Sequence, residues 1–260
     1  MQLAGAVVLV TGGSRGIGRS TAELLAARGA RVACVGRDEA ALREVEATCG
    51  AVPLVTDLRL AGSADDVVRR VLERHGRLDA VVANAGLGHA GPVVDMTAER
   101  IGELVDVDVR APLLLARSAV GAFRDQAAAG GPHARGLVFV TSIAGLVGVP
   151  GESVYSAGKA AVQGFATLLR EEVRADPLLT GVAVCTVVPG VVDTEFFTRR
   201  GAPYDRRWPR PIPPARVAQA VAAALEHGTP RTVVPRWLAL PAWWAAALPG
   251  SYRFLARRLS

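Results

Sequence analysis

A chain of 260 residues, half of them hydrophobic, can bury a large core, and single α/β domains commonly reach this size. The net charge of +6 is uneven: from Arg199 onward eleven arginines face only Asp205 and Glu226, a surplus of nine that leaves the first 198 residues net acidic by three. No apolar run approaches the roughly 18–20 residues of a membrane-spanning helix, no signal-peptide pattern opens the chain, and the basic end has neither zinc ligands nor an aromatic-interleaved groove for nucleic acid. Cys34, Cys49 and Cys185 lack metal-ligand spacing and read as reduced thiols in or near the core of a cytoplasmic protein.

Short β-rich runs occur at 6–11, 31–36, 51–56, 79–83, 137–141 and 182–188, with a weaker one at 232–234. Between them, apolar spacing near 3.6 predicts helices, as over 17–28, 64–75 and 154–174. Gly29 and Gly76 stand where glycines end helices, and Ser63 reads as the N-cap of the helix it precedes. The alternation implies an α/β fold with a doubly wound parallel sheet and helices on both faces. Residues 1–235 read as one domain with a lid at 193–213, and residues 236–260 as a Trp/Arg-rich tail.

The first turn, TGGSRGIG at 11–18, sets Gly12, Gly16 and Gly18 between a strand and a helix. Glycines there let backbone approach a pyrophosphate, whose charge suits the positive helix end. Arg15 lies in this turn and Arg37 follows the second strand, where an arginine can hold a 2′-phosphate. The pair favours NADP(H), with NAD(H) as the alternative because Asp38 follows at once. Asp57 ends the third strand and is placed to accept from an adenine amino group. Asn84, the chain's one asparagine, ends the fourth strand.

Thirty side chains are Lys or Arg, yet only Lys159 is lysine. In YSAGK it lies one helical turn after Tyr155, on the same face. A phenol titrates near 10, and a neighbouring ammonium is expected to lower that value towards the range useful for acid–base work. A lysine also reaches ribose hydroxyls with three rotatable donors, which a rigid guanidinium does not reproduce. Ser142 ends the fifth strand, where its hydroxyl can hold a substrate carbonyl beside the phenol.

Together these pieces resemble the short-chain dehydrogenases/reductases of the classical subgroup. The matching motifs are TGGSRGIG at 11–18, Asp57-Leu58, NAG at 84–86, Ser142, YSAGK at 155–159 and PGVVDT at 189–194, in the family's order over about residues 5–195. The resemblance implies a single Rossmann domain with about seven strands in the order 3-2-1-4-5-6-7. It assigns Tyr155 as acid/base, Lys159 as the group that tunes it and grips the nicotinamide ribose, and Ser142 as the carbonyl's anchor. It implies a cofactor cradle of Gly12, Ser14, Arg15, Gly16, Ile17, Gly18, Arg37, Asp57, Leu58, Asn84, Ala85 and Gly86. Pro189, Gly190, Val192 and Thr194 flank the nicotinamide end. One departure stands out: VDVRAP puts Asp108 where the family has a catalytic asparagine. An aspartate can continue a proton relay, but an ionised one near Lys159 opposes its effect on Tyr155.

The reading is an NADP(H)-dependent oxidoreductase moving hydride between nicotinamide and an apolar carbonyl or secondary alcohol. The contrasting reading, a silent nucleotide-binding or scaffold protein, rests on Asp108 alone. Phe196 and Phe197 are candidate walls of the substrate pocket, with 88–94 and 146–152 as the others. The family resemblance also implies a homodimer or homotetramer. The tail joins Trp237, Trp243 and Trp244 to Arg236, Arg253, Arg257 and Arg258 and is broken by Pro241 and Pro249. It suits either protein packing or peripheral contact with a membrane surface.

Overall fold

The computed structural model describes residues 1–131, 134–205, 207–252 and 254. The β-branched runs form seven parallel strands: β1 (Val7–Thr11), β2 (Arg31–Gly36), β3 (Val52–Val55), β4 (Ala80–Ala83), β5 (Arg135–Val140), β6 (Val182–Pro189) and β7 (Arg231–Val234). They make one sheet in the order β3-β2-β1-β4-β5-β6-β7, as the resemblance implied.

Successive strand residues point to opposite faces, so each apolar run supplies two cores. Val8, Val10, Cys34, Val82 and Val138 meet Leu25 of α1 (Gly16–Ala27), Leu42 of α2 (Glu39–Cys49) and Leu225. Val7, Leu9, Val35, Val81 and Phe139 meet Val67 of α3 (Ser63–His75), together with Phe123 and Val162. The chain reaches Phe123 through α4 (Ala98–Val105), a π-helical turn (Asp106–Arg110) and α5 (Ala111–Ala128). The short α6 (Ala144–Val147) and the long α7 (Ser153–Ala175), which holds Val162, follow β5. After β6 come α8 (Phe196–Arg199), α9 (Pro214–His227), which holds Leu225, and finally α10 (Ala239–Ala247).

Gly76 closes α3 in the left-handed region at φ 71°. Its other end corrects the expectation for Ser63. Gly62 is the N-cap, at φ 76°, and Ser63 is the first helical residue, its N–H donating to Leu60 O at 3.3 Å. The glycine turns the chain one residue earlier than a serine cap requires. The three cysteines are free, and burial pushes the thiols of Cys34 and Cys185 up to about 12 and about 11, as inert core groups.

Strand order reverses between β1 and β4, which opens a crevice at their carboxyl ends. The turn leaving β1 is packed against itself: a Cβ on Gly18 would lie 2.0 Å from Gly12 O. Backbone on both sides cannot yield, so Gly18→Ala is expected to cost about 3 kcal/mol or more, seen as a lower denaturation midpoint. An unchanged midpoint shows that this turn is looser than its packing implies.

Candidate active site

The crevice begins at α1. No described side chain caps its N-terminus, so its first N–H groups are available to an anion. Gly12 and Gly16 take φ of 64° and 52°, conformations that favour glycine. Asn84 knits this turn to β4: its Nδ2 donates to Thr11 O at 3.0 Å and Gly12 O at 3.3 Å, while Thr11 Oγ1 accepts from the N–H groups of Asn84 and Ala85. Asn84 thus holds the loop with its own donors. Ser14 sits beside Gly36, and Ile17 packs on the core. Thr194 reaches Gly16 from the far side, where a Cβ would be 3.1 Å from its Cγ2.

Beyond the ends of β2 and β3 lies a cavity of about 580 Å³, lined by Arg37, Thr56, Asp57, Ser63, Asp66 and Arg70. Leu58 is partly buried against the neighbouring core. Asp57 has a partner the sequence did not disclose: Arg59 Nη2 lies 2.6 Å from its Oδ2, and this contact holds the carboxyl below its ordinary value. Arg15 pairs with Asp38 and, at 3.3 Å, with Glu195. Asp38 also caps α2 by accepting from Ala41 N. Arg37 is exposed, and among the described residues it makes no ion pair.

At the carboxyl end of β5 the three expected catalytic groups come together. Ser142, Tyr155 and Lys159 are all buried, and Lys159 Nζ lies 5.6 Å from the Tyr155 ring centre. Ser142 Oγ accepts from Ala144 N at 3.1 Å and faces the phenol. Asp108 enters from the π-helical turn, only 1% exposed, and its Oδ1 lies 3.0 Å from Lys159 Nζ. Leu87 N donates to both of its oxygens at 3.3 Å. Asp106 instead pairs with Arg110 away from the site. Gly86 is the floor: a Cβ there would come within 3.0 Å of both Asp108 Oδ1 and Lys159 Nζ.

The electrostatics correct one expectation. Burial raises the Tyr155 phenol above its ordinary value, and Asp108 adds to the rise. Lys159 and Ser142 pull it down without prevailing. Burial also raises the Asp108 carboxyl against the pull of Lys159. For Lys159, burial works downward, but Asp108 and Tyr155 outweigh it and hold the ammonium charged. The lysine therefore acts in the expected direction on the phenol, with much of its charge already answered by a carboxylate.

The segment read as the lid packs over the site. Phe196 of α8 packs on Tyr155 with ring centres 5.4 Å apart, and fills space beside Gly88. Phe197 packs between Phe196 and Tyr204, one layer further out. A half-hidden ion pair between Arg200 and Glu152 ties lid to the 146–152 loop, and Ala90 N donates to Arg200 O. Val192 is buried and bridges to Ile212. Pro189 O accepts from Ile143 N, while Gly190 makes room for Leu238, whose Cδ1 would be 2.4 Å from a Cβ. Glu152 and Arg200 are 48 residues apart, and no local pattern marks either. Among the tail residues, Arg253, Arg257 and Arg258 lie outside the described residues, as does Arg206 of the lid.

The chain matches the short chain dehydrogenase family over residues 6–205. It is 34% identical over 203 residues to a hydroxynaphthalene reductase of Aspergillus fumigatus, covering 76% of this chain and 70% of that one. Among solved structures it resembles a short-chain dehydrogenase of Sphingobium yanoikuyae in complex with NADPH, with a TM-score of 0.78, 28% identity, and 97% and 95% of the two chains covered. A 3-ketoacyl-(acyl-carrier-protein) reductase of Brucella melitensis complexed with NADH gives a TM-score of 0.80 at 25% identity, over 90% of this chain and 99% of that one. The chain belongs to the short-chain dehydrogenase/reductase family of oxidoreductases. The resemblance read from its motifs is thereby borne out.

Proposed function

We propose that this protein is an NADP(H)-dependent reductase of apolar ketones. The observation that carries the reading is the convergence of Ser142, Tyr155 and Lys159 at the end of β5, beside the uncapped start of α1. The relatives complexed with NADPH and NADH support a nicotinamide cofactor. When bound, that cofactor supplies or accepts the hydride, leaving proton transfer and orientation to the protein.

The residues present fit such a cofactor. Gly12, Ser14, Arg15, Gly16, Ile17 and Gly18 would receive the pyrophosphate, Asp57 and Leu58 the adenine, and Asn84, Ala85 and Gly86 the next stretch. Pro189, Gly190, Val192 and Thr194 would flank the nicotinamide, with Lys159 on its ribose. Ser142 holds the substrate oxygen, and Tyr155 O–H donates the proton to it. A phenol raised by burial stays protonated at neutral pH, which favours the reducing direction. Leu87, Met96, Val149 and Phe196 cluster around Tyr155 and make the surroundings apolar. Phe196 of α8 packs on the phenol ring and forms one wall of these surroundings.

NADP(H) is favoured because Asp38, the carboxylate that would otherwise accept from a ribose hydroxyl, is committed to capping α2 and to Arg15. Arg37 is left for a 2′-phosphate. In Arg37→Ala, affinity for NADPH should fall about tenfold or more, while that for NADH changes less than about threefold. Equal losses for both cofactors overturn the preference. The function itself is tested by NADPH oxidation with a panel of hydrophobic ketones. Substrate-dependent turnover is expected; cofactor binding without turnover of any ketone favours the silent reading, in which Asp108 keeps Lys159 from its task.

A further inference from the structure

We propose that the outer face of the lid and α10 docks on an anionic membrane surface. This goes beyond the reductase reading and does not depend on it. The two segments meet through a stack of Trp208 on Trp237, ring centres 4.7 Å apart, with both rings exposed. The stripe continues along α10: Leu240 is 73% exposed and Trp243 69%, while Ala242 on the opposite side is buried. Leu248 extends it past the helix end. Positions 237, 240, 243 and 247 recur at helical spacing, so one side of this segment is apolar and faces outward. Adjacent exposed apolar groups of this size mark an interaction site on a soluble domain.

Charge selects the occupant. Arg207 and Arg236, chain neighbours of Trp208 and Trp237, are exposed, as is Arg210. From residue 227 to 260 the sequence holds five arginines and neither Asp nor Glu. Such a face attracts lipid phosphate, and guanidinium groups bind phosphate with paired donors. A second copy of the chain docking symmetrically would press the same arginines against each other. Tryptophan and arginine around leucine suit the boundary between headgroups and acyl chains. Among the described residues no helix is long and apolar enough to cross a bilayer, so the contact is peripheral. The platform is held firmly: Leu238, just before α10, is buried against Gly190, and α10 packs on α6, next to Ser142. Docking therefore places the lid side of the domain against lipid.

The test is sedimentation of the full chain with vesicles of phosphatidylcholine containing about one-third phosphatidylglycerol, against phosphatidylcholine alone. Binding should be about tenfold stronger to the anionic vesicles and weaken with salt. Leu240→Glu combined with Trp243→Glu, both at exposed positions, should reduce binding about tenfold or more with an unchanged circular dichroism spectrum. Arg207→Gln with Arg236→Gln should weaken the preference for anionic lipid. Wild-type protein that stays in the supernatant overturns the proposal, as does equal binding by the double glutamate variant. So does a self-associated form that the glutamates dissolve while vesicle binding is absent, which would make this face a contact between chains.

Discussion

On the proposed mechanism, Tyr155→Phe is expected to lower kcat/KM for ketone reduction by about 10³-fold, within the usual range for loss of a positioned proton donor. The substitution is clean because the ring stays. Its packing against Phe196 and the apolar cluster with Leu104 and Ala144 does not involve the hydroxyl. Folding stability should therefore hardly change, and cofactor affinity, read by fluorescence titration, should stay within about threefold. What disappears is the O–H proposed to donate to the developing alkoxide while Ser142 holds it. Turnover close to wild type would mean that another acid protonates the product, and the proposed mechanism would go. A large fall in cofactor affinity would instead show that the phenol serves binding, and the loss of rate would no longer report on proton transfer.

The sheet was readable because buried parallel strands need unbroken β-branched runs, and these stand apart from the helical spacing between them. Even the weak run at 232–234 became β7, since pairing with β6 compensates for its short apolar content. Residues at strand ends were readable as a set for the same reason: a doubly wound sheet gathers them into one crevice. Contacts across long separations were not. Arg59 reaching Asp57 depends on a turn that no local pattern announces, and the Arg200–Glu152 tie depends on how the lid folds back. The direction of the Tyr155 shift was also out of reach. Spacing on a helix shows that Lys159 can approach the phenol, but only the packed structure shows that burial outweighs it. Likewise the VDVRAP stretch put Asp108 where the resemblance expects an asparagine, while the π-helical turn that brings it to 3.0 Å from Lys159 has no mark in composition.

That contact makes Asp108→Asn the sharper test of what the carboxylate does in this site. The carboxylate pushes the Tyr155 phenol up, directly and by offsetting the charge of Lys159. Replacing it with an amide removes both effects, so the phenol's pKa falls. The two directions of reaction then respond oppositely. Reduction needs the protonated phenol and is lost as pH rises through its pKa, so its alkaline limb moves to lower pH in the variant. Alcohol oxidation needs the phenolate and grows over the same range, so its rising limb also moves to lower pH, and oxidation near neutrality increases. The amide keeps the volume and can still accept from Leu87 N–H, so the fold should survive the change. Superimposable pH profiles of kcat/KM for wild type and variant, in both directions, would show that Asp108 carries no charge felt by the phenol. The buried pair would then be an anchor for Lys159 alone, with no part in setting which way the reaction runs.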